Sequence, residues 1–169
     1  MKTIAHLIND FQNFLAQYNK NMAELPRVMG KIAVDVVHEN FEAQGYIADE
    51  AVIKWEKRSL LTDKTYDSRG KNHKGSVYSS SNPILRQTGN LYNAIRYSVR
   101  GKYKVFIGVN TTIIPYAQIH NEGLEGNAFG KYPFKMPQRK FIGISQKLRK
   151  RIFKEIQSKN KIAFKFLSK

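Results

Sequence analysis

Tyr116, His120 and Arg139 are the residues in this chain whose types and spacing could do chemistry. Tyr116 and His120 lie four apart in P-Y-A-Q-I-H-N-E-G, so a short helix places both on one face. A histidine base, a tyrosine acid and an arginine phosphate clamp would together suit metal-free RNA cleavage. The plainer role for the pair is to hydrogen-bond backbone where a helix meets a sheet. Polar residues that build a fold outnumber those that catalyse, so the plainer role is the expected one.

Other chemistries find less support. There is no G-x-x-x-x-G-K-[ST] phosphate loop and no G-x-G-x-x-G after a strand. No H-x-x-x-H or H-E-x-x-H pair occurs, and the chain has no cysteine, which removes disulfides, thiolate catalysis and the common zinc-finger designs. Past residue 85 the carboxylates are Glu122, Glu125 and Glu155, too few to build a two-metal nuclease. Asp35, Glu39, Asp63 and Asp67 would join one only if folding gathered them. His73 stands between Lys71 and Lys74 without carboxylate neighbours, and His6 and His38 lie near apolar helix faces. No metal, no cofactor and no catalytic residue is expected.

The elements that must position these residues follow from periodicity. Ile4, Leu7, Ile8, Phe11, Phe14, Leu15, Tyr18 and Met22 form one helical stripe, predicting a helix over residues 3–22 that packs on the core. Pro26 suits a first helical position, predicting a second helix that buries Val28, Met29, Ile32, Ala33, Val36, Val37 and Phe41 and stops at Gly45. Trp55 should anchor the next segment, and residues 67–82 read as a long, mobile, basic loop. Thr88 is the expected N-cap of a short helix carrying Leu91, Ala94 and Ile95 inward. Alternation from Tyr97 to Val109 around Gly101-Lys102 predicts a β-hairpin. Pro115 should open a short helix closed near Gly123, with a loop from Gly123 to Gly130 and a further strand over residues 134–144 broken by Pro137. A basic amphipathic helix should begin at Ser145, with Leu148, Ile152, Phe153 and Ile156 inward. The fold class is α+β: an antiparallel sheet of a few strands packed against N-terminal and C-terminal helices, with a long basic loop.

A length of 169 residues suits a single domain, with residues 1–45 a helical N-terminal part and residues 158–169 a basic tail. No apolar run approaches the length of a membrane span, and Asp10 falls where a secretory signal would stay apolar. The net charge of +16 is graded: −3 over residues 1–50, +9 over 51–138 and +10 over 139–169. A gradient of this kind suits an acidic partner, whether nucleic acid, membrane surface or protein, and equally a solvated lysine-rich tail. Tyr, Phe, Lys and Arg interleave in the basic C-terminal third, as in non-specific nucleic-acid binders.

Four motifs follow one another in fixed order. Leu85, Thr88, Gly89, Leu91, Ala94 and Ile95 form the first. Val105, Ile107 and Gly108 form the second, and Tyr116, Ala117, Ile119, His120 and Gly123 the third. Met136, Pro137, Arg139, Phe141, Ile142 and Gly143 form the last. This order resembles the phage virion morphogenesis family, which includes the tail-completion protein S of P2-like phages and protein G of Mu-like phages. The likeness covers residues 38–157, with Phe41, Gly45 and Trp55 upstream of the basic loop. Lys140 stands where relatives often have Pro, and Asn121-Glu122 where they often have Gln and an aromatic.

The resemblance implies a non-enzymatic structural protein of a phage or prophage virion, made in the bacterial host cytoplasm. It would complete the tail or join tail to head at the neck. Its partners would be copies of itself in a ring, often hexameric among similar proteins, and phage neck or tail proteins. DNA passing through the lumen is a further partner the charge would suit, and no membrane is involved. Expected partner contacts are Arg69, Lys71 and Lys74 in the loop and Lys147, Arg149, Lys150, Arg151 and Lys154 on the last helix. Thr88, Gly89, Tyr116, His120, Gly123, Pro137, Arg139 and Phe141 are expected to be structural. The alternative is a non-specific nucleic-acid-binding protein.

Overall fold

The computed structural model describes residues 4–57, 65–66, 72–73, 83–86, 88–128 and 132–164. The two helices expected before Gly45 are one, α1, Ile4–Glu42, with Pro26 inside it. An interior proline removes one helical hydrogen bond and costs about 3 kcal/mol. Tertiary contacts on both sides hold the helix through that cost. On the N-terminal side, the Asn21 side-chain amide donates to the Lys159 carbonyl at 3.0 Å. On the C-terminal side, Gly30 lets the ring of Tyr97 lie against the helix backbone.

The apolar stripe of α1 has two fates. Its C-terminal half is buried at Ala33, Val36, Val37 and Phe41. Its N-terminal half is not: Ile4, Leu7, Ile8, Phe11, Leu15 and Tyr18 are exposed, which corrects the expected core packing of residues 3–22. The last helix, α4, Gln146–Phe164, is half as long as α1 and runs antiparallel to it, Lys147 meeting Glu39 and Lys159 meeting Glu24. Most of the α1 arm before Asn21 therefore extends past the region where α4 is anchored.

The class is α+β. Among the described residues the strands pair as four separate two-stranded antiparallel ladders rather than one sheet. These are β1 Gly45–Ile47 with β2 Val52–Lys54, β3 Thr65–Tyr66 with β4 Asn72–His73, β5 Arg96–Arg100 with β6 Lys104–Gly108, and β7 Glu125–Ala128 with β8 Tyr132–Lys135. The expected hairpin is β5–β6, turning at Gly101 with φ 66°. The expected loop after Gly123 contains β7. The expected strand over residues 134–144 ends at Lys135: the Met136 N–H still reaches the Leu124 carbonyl, Pro137 has no N–H, and those of Arg139, Phe141 and Ile142 bond to the His120 carbonyl and the Asn121 side chain of α3 instead of a ladder. The basic loop of residues 67–82 lies outside the described residues except for β4.

Helix α1 stops without using Gly45 as its left-handed residue. Gln44 takes that conformation, φ 50°, and its side-chain amide donates to the Phe41 carbonyl at 2.6 Å. Gly45 instead serves close strand approach, since a Cβ there would lie 2.6 Å from the Ile53 carbonyl oxygen. Two short helices follow, α2 Asn90–Asn93 and α3 Tyr116–Glu122. The core gathers Val37, Phe41, Trp55, Leu91, Ile95, Ile114, Ala117 and Phe141. Trp55 anchors as expected, its indole N–H donating to the Lys140 carbonyl at 2.8 Å. Phe153, expected inward on α4, is exposed.

Gly30 offers a test of this packing. Alanine favours a helix over glycine by about 1 kcal/mol. A Cβ at residue 30, however, would lie 2.2–2.7 Å from three ring atoms of Tyr97, and overpacking of this kind costs about 1–3 kcal/mol. Gly30→Ala should therefore lower the stability measured by urea unfolding. A more stable variant would show that the helix does not need the ring at this place.

Candidate functional site

The third and last motifs meet at the end of α3. Pro115, at φ −64°, opens that helix. Gly123, at φ 70°, closes it, its N–H bonding to the Ile119 carbonyl at 2.9 Å. Gly123 is required twice over, by its positive φ and because a Cβ would lie 2.9 Å from Cβ of Gln138. That close approach lays residues 136–142 across the helix end. The Arg139 N–H donates to the His120 carbonyl at 2.7 Å, and the Met136 N–H to the Leu124 carbonyl at 3.1 Å. Asn121 Oδ1 accepts from the N–H groups of both Phe141 and Ile142, at 3.0 and 2.9 Å. Sequence reasoning treated Asn121 only as a departure from the family pattern and missed this role. The signal that could have found it is a short amide side chain at a helix end.

Tyr116, His120 and Arg139 do come together, with the imidazole and guanidinium turned to the fold and the Tyr116 ring exposed. Arg139 is 5% exposed. Its Nε–H donates to the Glu56 carbonyl at 3.2 Å, and Nη1 lies 3.4 Å from Met136 Sδ and 3.5 Å from His120 Nδ1. Burial and then the Arg139 charge push the His120 pKa down to about 4. The imidazole is thus neutral at neutral pH and can accept from the guanidinium. The Tyr116 ring stands edge-on to His120, centroids 6.0 Å apart. A base of pKa near 4 is poorly matched to neutral pH, and a buried guanidinium committed to carbonyl and ring is poorly placed to clamp phosphate.

The first motif starts α2. The N-cap is Gly89, φ 73°, rather than the expected Thr88, whose hydroxyl accepts from the Asn90 N–H at a long 3.4 Å. Leu91 and Ile95 carry this motif into the core beside Phe141. Pro137 is half-buried in the crossing segment.

The basic residues of α4 divide by direction. Ser145 caps the helix, its hydroxyl accepting from the Leu148 N–H at 3.1 Å. Lys147 and Arg151 both pair with Glu39 of α1. Burial alone would raise the Glu39 pKa, but the hydrogen bonds from those two cations outweigh it and hold the carboxyl below its usual range. Lys150 meets both carboxylate oxygens of Asp49, at 2.7 and 2.9 Å. Three of the five singled-out cations thus fasten α4 to the rest of the chain. Arg149 and Lys154 are exposed and have no ion-pair partner among the described residues. Arg69, Lys71 and Lys74 lie outside the described residues. Among the described residues no three His, Asp or Glu side chains gather as a metal set. A depression of about 350 Å³ lined by Lys31, Val34, Asp35, Ile95, Arg96 and Tyr97 does not touch His120.

Two measurements check this junction. Asn121→Ala leaves two backbone N–H groups without their acceptor and should cost about 2–4 kcal/mol in urea unfolding. A cost below about 0.5 kcal/mol would show that other acceptors replace it. His120 gives a pH signature. Its pKa is depressed in the folded state from 6.5 to about 4, so between these values the unfolded chain binds the extra proton. The stability it contributes is complete above pH 6.5 and is lost as pH falls toward 4. At pH 5 the loss should reach at most about 2 kcal/mol, reduced by solvent screening of the half-buried ring. Glu39 acts only at lower pH, so the window from 7 to 5 isolates His120. His120→Asn should flatten that window; equal slopes in both proteins would contradict the assignment.

No helix among the described residues is long and apolar enough to cross a membrane. No curated protein and no solved structure matches the chain. The model of the phage virion morphogenesis family matches residues 6–159, nearly the whole length, and the chain belongs to that family.

Proposed function

We propose that this protein is a structural, non-enzymatic subunit of a phage or prophage particle that completes the tail or joins it to the head at the neck. Family membership over residues 6–159 carries this reading. The inward commitment of His120 and Arg139 supports it, since the groups best suited to chemistry serve the fold. In this reading the subunit works as a ring, a hexamer by the resemblance, in contact with neck or tail proteins. The cations that face outward, Arg149 and Lys154, are then available to a neighbouring protein or to DNA in the lumen. Its place is the virion after synthesis in the host cytoplasm.

Deleting the gene from its phage should leave filled heads and separate tails in electron micrographs. Normally joined particles would overturn the reading. A second reading, non-specific nucleic-acid binding, draws on the outward pair Arg149 and Lys154 beside exposed Phe153. It expects DNA binding that weakens steeply with salt, with the slope lowered by about 2 in an Arg149→Ala, Lys154→Ala protein. No binding at low salt would dismiss it.

A further inference from the structure

Among the described residues, two exposed apolar surfaces lie on helices at opposite ends of the chain. The first is the α1 arm, where Ile4, Leu7, Ile8, Phe11, Leu15 and Tyr18 are 37–82% exposed. Side chains of this size, about half exposed, offer roughly 500–600 Å². That is near the largest apolar patch of an ordinary monomer and most of the ~800 Å² that each partner gives to a standard interface. The second is on α4, a shallow depression of about 460 Å³ lined by Ile152, Phe153, Ile156 and the stems of Arg149 and Lys150, in which Phe153 is 61% exposed and Ile152 and Ile156 are half-buried.

We infer that the α1 arm of one copy lies on the outer face of α4 of the next copy, seating its apolar stripe on Ile152, Phe153 and Ile156. A second copy of this chain is the favoured occupant on grounds of geometry and of charge. The two surfaces cannot close on each other within one chain: α4 presents its other side to α1, held by Asn21–Lys159 and Glu39–Lys147, while Phe153 faces away. Each copy thus carries one donor and one acceptor surface of apolar character.

Charge separates this pairing from its alternatives. Copies of a +16 chain repel one another, and two α4 faces dense in Lys and Arg repel most. The arm is the near-neutral part, residues 4–22 carrying only Asp10 and Lys20 as formal charges. It can approach a cationic helix without like-charge opposition. A contact between two different patches is head-to-tail, and repeated with a closing rotation it makes a ring. The inference rests on the ring reading of the proposed function and adds the surfaces that would build it.

The absence of native cysteine makes a direct test possible. Phe11→Cys and Phe153→Cys are both at exposed positions, so each variant should keep the native circular dichroism spectrum. Mixed at a concentration where sedimentation detects association and then oxidised, the two variants should give a disulfide-linked dimer that neither gives alone. Ile8→Cys with Phe153→Cys provides a second register of the same contact. A cross-link from Phe11→Cys alone would mean that arms meet arms, and overturns the inference. No cross-link from either mixture at concentrations where the protein associates also overturns it. If the subunit is still found at the neck of particles, the proposed function stands without this interface. A mixed cross-link in a protein whose deletion leaves particles joined keeps the interface and removes that function.

Discussion

Phe41 is the side chain around which the other elements are placed. It is fully buried near the end of α1, and three rings surround it: Trp55 at 5.5 Å, Tyr92 at 5.7 Å and Phe141 at 5.2 Å between centroids. These rings come from the segment after β2, from α2 and from the last motif, so one hydrophobic contact ties four distant stretches together. The neighbouring Asn40 adds direction to that contact. Its buried amide donates to the Phe141 carbonyl at 3.0 Å, and its oxygen accepts from the Ile47 N–H at 2.9 Å. Hydrophobic burial alone would allow the last motif to slide, whereas a buried amide with both ends engaged fixes its register.

The same logic governs the charge. Partial burial of Leu148, Ile152 and Ile156 gives the basic helix α4 a broad preference for one rotation, and carboxylates narrow it. Glu39 and Asp49 supply them, taking Lys147, Arg151 and Lys150 into the fold. These pairs are half-exposed, so each contributes modestly to stability, but together they set which side of α4 looks outward. Phe153, Arg149 and Lys154 are outward as a consequence. Surface chemistry that reads in the sequence as one uniform basic block is, in the folded chain, an internal clasp and a separate outer face.

His120 and Arg139 show how an apparent catalytic pair becomes a structural one. Both carry the functional groups of a phosphate-cleaving site, and the spacing in the sequence permits that role. Burial keeps the imidazole neutral, and the guanidinium is pointed at the Glu56 carbonyl. The same two groups hold the end of α3 against the last motif, through the Arg139 N–H on the His120 carbonyl and the guanidinium beside the imidazole.

Much of this was legible in the sequence because it depends on neighbours along the chain. The β5–β6 hairpin, the α3 helix between Pro115 and Gly123, the Ser145 start of α4 and the α+β class all follow from local turn chemistry and periodicity. The four-motif order also identified the family. What the sequence left open depends on contacts between distant residues. Whether Pro26 starts a helix or sits inside one is decided by Lys159 and Tyr97 holding the helix on either side. Whether an apolar stripe is core or arm is decided by where α4 runs out. The role of Asn121, the division of the basic residues and the depressed His120 pKa have the same origin. Local preferences are worth about 1 kcal/mol per residue, and burial and buried hydrogen bonds outweigh them wherever the chain folds back on itself.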